Sequence, residues 1–528
     1  MADRYWVGGT ASWDLTAGTK WALTSGGAGG QAVPTAADDV FFNAASGAVT
    51  VTVTGFRNAK SVNCTGFTGT LTGTTSVGIT ISGSLTLVPG MGFTGEMQLF
   101  FRALGTITSA GKTLGNVTLE NSGSTNVTLN DALTTGTLRI FTITAGALNL
   151  NNFTLTCGRF ESNNSNVRSI AFGTGSIALI STAVGATVLS MNQATNYTCT
   201  GTPLFTRSMV NTATFAHGST GGATSANSPS INITGGSSTV TLSGLSSFRN
   251  VNFTGNSSVV NATSMQLRGN LTFSATGTYT GFSTTVIETS TITTNGRTFS
   301  ALDINASGAS ATLAGALTLN GALFLGQGTF TTAGFNVTTG SFLSTSGLTR
   351  SVNMGATAWV ITANSWEATS TGMTFNAGTS SIRFNSGGTS KSFLGGGLTY
   401  YNLIHDNNGV GGLNTLTITG ANTFNDITTN VRPSTFVFPA GVTQTLANFT
   451  LSGTAGNLVT IQSSVSGTQF TLSKSSGAVN VDYMSIKDSN ATGGAVFTAN
   501  NSVNGGNNTG WFGFPILDTG NMLMMFLP

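Results

Sequence analysis

The chain repeats itself, with a period of about 185 residues, in short strands rich in Thr, Ser, Asn and Gly. Thr106-Ile-Thr-Ser-Ala-Gly-Lys-Thr-Leu114 returns as Thr291-Ile-Thr-Thr-Asn-Gly-Arg-Thr-Phe299, and Arg168-Ser-Ile-Ala-Phe-Gly173 returns as Arg350-Ser-Val-Asn-Met-Gly355. Val51-Thr-Val-Thr-Gly55 has its counterpart in Val240-Thr-Leu-Ser-Gly244. A shorter third copy shows at Thr399-Tyr-Tyr-Asn-Leu403, which matches Thr113–Val117 and Thr298–Leu302. Within each copy, apolar residues alternate with hydroxyl and amide residues, as in Val49 to Thr54, which is the period of a half-buried strand. Strand-and-turn units of about 20 to 25 residues, repeated without a break, predict an all-β, elongated β-solenoid of the parallel β-helix kind with capped ends.

Composition tests that expectation. Only 7% of the 528 residues are Asp, Glu, Lys or Arg, against about a quarter in an average soluble domain, so hydroxyls and amides must wet the surface. Intrinsic disorder does not fit, because 34 Phe and abundant Val, Ile, Leu and Thr supply a core. A formal charge of +3 without a run of Lys or Arg offers nucleic acid no basic stripe. No stretch of about 18 apolar residues is present to cross a bilayer as a helix. Cys64, Cys157 and Cys199 form no disulfide framework and are expected as buried thiols. Met1–Trp6 has neither the basic nor the apolar region of a secretory signal, so the chain is expected either to stay off that route or to have had its signal replaced by a new Met.

Six regions are expected along the chain. Residues 1–45 form a cap or docking segment around Trp6, Trp13 and Trp21, because the first coil of a solenoid must be covered. Residues 46–230 and 231–415 are the two long copies, 416–470 a shorter third, 471–514 a C-terminal β cap, and 515–528 an apolar tail. The tail residues Met522, Met524, Met525, Phe526 and Leu527 are candidate oligomer contacts, with folding back as a cap the equal alternative.

Chemistry is sparse. Glu96, Glu120, Glu161, Glu288, Asp303 and Glu367 could meet only across coils, and nothing in the sequence pairs them for glycoside cleavage. Asp482 and Asp488 are about 20 Å apart along an extended segment and read as a strand end and a turn. Asp488, Asn490, Asn500, Asn504 and Asn507 lack an ordered calcium loop and read as Asx corners. His405 aligns with Leu119 and Ile304 and is expected in the core, and His217 has no visible partner. Trp359, Trp366, Tyr400 and Tyr401 are a candidate platform for stacking a glycan ring, or else the filling of a wide coil. No catalytic residue, cofactor or metal is expected.

Two segments carry a resemblance. Tyr5-Trp-Val-Gly-Gly-Thr-Ala-Ser-Trp-Asp14 through Val33-Pro-Thr-Ala-Ala-Asp-Asp-Val-Phe-Phe42 resembles the first coil of β-solenoid surface and virion proteins. Ile486–Gly494 through Gly505-Gly-Asn-Asn-Thr-Gly-Trp511 is similar to the end of phage-type structural proteins with Thr/Gly-rich solenoids. The resemblance implies a non-enzymatic virion protein, a tail or capsid fibre or spike that contacts the host cell surface. Its implied partners are other virion proteins, copies of itself (a trimer) and a host surface glycan or protein, with no nucleic acid and no membrane insertion. A polysaccharide-cleaving tailspike and a bacterial β-solenoid adhesin, cell-surface or secreted, are the alternatives.

Overall fold

The computed structural model describes residues 2–121, 126–236, 239–387, 390–407 and 414–514. Two compact units are present, Met1–Thr285 and Val286–Pro528, so the division falls inside the second sequence copy. Both are β-solenoids, with about 20 turns between them.

In the first unit each turn of chain returns to hydrogen-bond the turn before it in parallel. Val40, Val62, Leu85, Ile107 and Leu129 stand on successive rungs, at intervals of about 22 residues. All five are fully buried. A second buried column runs Leu133, Leu155, Ile177, Phe205, Ile231 and Val251. A third runs Leu99, Val117, Phe141, Phe160, Leu189 and Phe215. Alternation within each strand does the sorting: Arg159-Phe-Glu161 turns Phe160 inward and its neighbours outward. The same logic builds the second unit, where Leu302, Leu323, Phe342, Trp366 and Phe393 form one interior column. Leu317, Val337, Trp359, Ile382 and Leu403 form another.

The outward faces are laddered by like side chains, which is how so little charge suffices. Thr94 donates to Thr72 at 2.9 Å, Asn376 to Asn353 at 2.7 Å, and Asn425 to Asn402 at 2.9 Å. Corners demand a left-handed backbone: Asn152 and Gly173 have φ of 68° and 57° on neighbouring turns. A Cβ on Gly173 would meet Asn152 Oδ1 at 2.2 Å, so a larger residue there would have to displace that amide as well as adopt a left-handed backbone.

The opening segment adds an antiparallel strand pair, Asp3–Trp6 with Trp21–Ala22, across the first rung. Among the described residues no helix is long and apolar enough to cross a membrane, which says nothing of strands.

Candidate functional site

The aromatic candidates from the sequence are interior. Trp6, Trp13 and Trp21 are fully buried and meet edge to face, with Trp21 centred 5.1 Å from Trp6 and 5.4 Å from Trp13. Phe42 joins them at about 6 Å, so this segment closes the end of the core and presents no indole for docking. Of the two readings of the second aromatic group, the filling of a wide coil fits and the glycan platform does not. Trp359, Trp366 and Tyr400 lie on inward strand positions and are buried, while Tyr401 is half-exposed. Trp366 Nε1 donates to the Tyr400 hydroxyl at 3.3 Å, which donates to the Gly395 carbonyl at 2.9 Å. Filling a wide rung, they offer no face to a sugar. Met522, Met524, Met525, Phe526 and Leu527 lie outside the described residues.

The buried cations hold the backbone. Arg168 is 1% exposed, and its guanidinium donates to Ser162, Asn166, Gln193 and Thr195. Arg350, its counterpart in the repeat, is equally buried and donates to Ser344, Leu348, Thr369 and Thr371. The planar fork of arginine can bond several carbonyls at once, and no carboxylate is needed to hold it. Each arginine thereby fixes the loop that follows a strand, residues 163–167 in one copy and 345–349 in the other.

The histidines and thiols follow burial. His217 donates from Nδ1 to the Ser247 carbonyl at 2.9 Å, and burial pushes its pKa down to about 4. His405 is buried beside Phe436, and its pKa also falls to about 4, from burial first and then from Lys391. Burial pushes the Cys64 thiol up to about 12 and raises Cys157 as well. Cys199 departs from the expected burial: beside the inward Ile170 it is only half-buried, its Sγ 3.3 Å from the Ala226 carbonyl.

Three of the six suspected carboxylates bind arginines. Glu96 binds Arg139, Glu120 binds Arg102 and Glu161 binds Arg159. Glu288 precedes the strand Thr289–Thr293. Asp482 accepts from Asn501 at 2.9 Å at its strand end. Asp488 has a φ of 55°, and the 2.7 Å bond from Asn507 holds its carboxyl below the usual range. Asn490 accepts from Thr509, and Asn504 from Asn508, so these amides stitch corners. No group of three or more His, Cys, Asp or Glu among the described residues is placed to hold a metal.

Asp303 and Glu367 stand on one outward column. Strand pairing sets Asp303 beside Phe324, Phe324 beside Leu343, and Leu343 beside Glu367, one outward column of the second unit. The column lines a recess whose wall includes Thr345 and Ser346, the residues next to the Arg350 anchor. Ser346 donates to the Gly326 carbonyl, tying that wall to the floor. Phe324 is 42% exposed there. Three rungs separate the two carboxylates, roughly 14 Å at the strand spacing. That exceeds the roughly 5 to 9.5 Å of a glycosidase pair. The sequence named both acids but could not align them with Phe324 and Leu343, some twenty residues away along the chain. Phe324 stands at an outward position between Leu323 and Leu325, which is a readable signal. No family model, curated protein or solved structure matches the chain.

Proposed function

We propose that this chain is a non-enzymatic structural protein of a phage virion, a tail or capsid fibre or spike, probing the host cell surface as a homo-oligomer, with a trimer the expected state. The observation that carries the reading is the consumption of side-chain chemistry by the scaffold. Buried arginines bind carbonyls, and three of the suspected glutamates bind arginines. Two outward faces are left with ladders of Thr and Asn. Repeated uncharged hydrogen-bonding groups suit many weak contacts whose avidity grows with copy number. The resemblance of the opening and closing segments to virion solenoids supplies the setting, and fold alone does not specify it. Mass spectrometry of purified particles, with immunolabelling by negative-stain microscopy, tests it. The chain should be found in particles, with label on projections. Label confined to bacterial cell surfaces would overturn the reading in favour of an adhesin.

A further inference from the structure

Among the described residues four arginines are buried, Arg57, Arg168, Arg207 and Arg350. The last three each donate to several backbone carbonyls. Arg57 is the exception: it is 8% exposed, and its Nε and Nη1 are buried without a hydrogen-bond partner. It takes an inward position of the strand Phe56–Ala59, beside Ile79 on the next turn and Leu99 on the one after, so its stem lies in the core. The bond from Lys20 first, and the nearby Arg57 after it, hold the Asp14 carboxyl below its usual range. Asp14 spends its hydrogen bond on Lys20, at 2.7 Å, and that pair leaves the charge of Arg57 over. Burying a cation without acceptors opposes folding, and core packing gains nothing from it.

We propose that Arg57 anchors an acidic sugar chain, through a carboxylate seated in the recess beside it. That recess of the first unit, about 460 Å³, is lined by Thr52, Thr54, Thr72 and Thr74 with Gly55 and Gly95. Its volume falls within the roughly 300–1,000 Å³ of ordinary small-ligand sites. Gly55 stands between the recess and the guanidinium: Arg57 Nη2 lies 2.8 Å from the point a Cβ on Gly55 would occupy. With no side chain at that left-handed corner, φ 66°, an oxygen in the recess can approach Nη2. Among the described residues no charged side chain lines the recess, and Glu96, next to Gly95, is bound to Arg139. The field there is therefore set by the arginine and favours an anion. A carboxylate accepts a charge-assisted hydrogen bond from a guanidinium and offsets the charge buried behind Gly55. Threonine hydroxyls both donate and accept, which suits the ring hydroxyls of the same sugar.

The inference deepens the proposed host contact and rests on that reading for its biological setting, but the binding assay is independent of particles. The probe is galacturonate trimer, titrated calorimetrically into the full chain, with galactose trimer and inorganic phosphate as comparators. Saturable binding of galacturonate is expected, about tenfold or more above either comparator. Arg57→Met keeps an unbranched apolar stem in the core and should fold, but lose that affinity by about tenfold or more. Arg168→Met removes a guanidinium that serves carbonyls alone and should bind as the parent does. Because the ligand offsets a buried charge, saturating galacturonate should raise the melting temperature of the parent and leave that of Arg57→Met in place. Gly55→Ala sets a Cβ against Nη2 and should also weaken binding about tenfold, which tests the contact even if Arg57→Met does not fold. Absence of saturable binding overturns the proposal, as does equal affinity for galactose trimer or phosphate, or binding that survives Arg57→Met. Equal and non-additive destabilisation by Arg57→Met and Asp14→Asn also overturns it, because the arginine would then serve that acid. A chain that binds galacturonate but is missing from particles defeats the virion reading alone. A chain found in particles that ignores galacturonate defeats the recess alone.

Discussion

The outward columns Thr118–Thr142–Glu161–Ser190 and Asp303–Phe324–Leu343–Glu367 occupy equivalent places in the two copies, over the same kind of core. One follows Phe100 with two threonines, a Glu161 bound to Arg159 and a serine, and the other sets the exposed ring of Phe324 beside Asp303 and Leu343. The difference teaches that in a stacked fold the inside is held by volume and the outside is free to vary. A surface departure that the scaffold does not demand is therefore informative about contact.

The comparison breaks most visibly at the shared interior. Phe160→Ala and Phe342→Ala should each cost about 3–5 kcal/mol, equally in the two copies, measured by thermal or denaturant unfolding of the full chain. A large effect in one and none in the other would show that the cores are not equivalent. Next come the anchors: Arg168→Met and Arg350→Met leave buried carbonyls without donors and should each cost about 3 kcal/mol. Arg350→Lys should recover only part, since an ammonium cannot span the same acceptors. Hydrogen exchange in 345–349 should rise in the Arg350 variants and stay unchanged in the Arg168 variant.

Acidification sharpens the comparison further, because each unit holds one buried histidine. Both are depressed from 6.5 to about 4, so the fold keeps them neutral while the unfolded chain takes up a proton first. Their contribution is complete above about pH 6.5 and is lost as the pH falls towards 4. Each should weaken the fold by about 2 kcal/mol at pH 4.5. His217→Asn and His405→Leu should flatten the pH dependence of the melting temperature, each by its own share. The smallest stability effects belong to the columns themselves. Phe324→Thr and Thr142→Phe should move unfolding by no more than about 0.5 kcal/mol, since neither side chain enters the core.

Much of the fold was legible. Alternation in Arg159-Phe-Glu161 and in Ser365-Trp-Glu-Ala368 states which side chain turns inward, and strict application of that rule places Trp366 in the core. Of the two readings of Trp359, Trp366, Tyr400 and Tyr401, phase within the strand favours coil filling over a glycan platform, a distinction that grouping Trp and Tyr by type cannot make. The anchors left a trace as well: an arginine retained at one position of two copies, in a chain with so few charges, marks a need for its donors. Its acceptors could not be named, since Gln193 and Thr195 lie a full turn further along the chain.

Local order, then, belongs to the sequence: strand period and corner glycines follow from near neighbours, whose sterics and hydrophobicity act over a few residues, and the copies are read by matching segments. Adjacency between turns belongs to the tertiary structure. It depends on the length of every intervening corner and on each register shift, such as the one between Ile304 and Asn305. A single residue more or less in a coil would send Phe324 to the other face, so only the stacked fold could set Asp303, Phe324, Leu343 and Glu367 in one line.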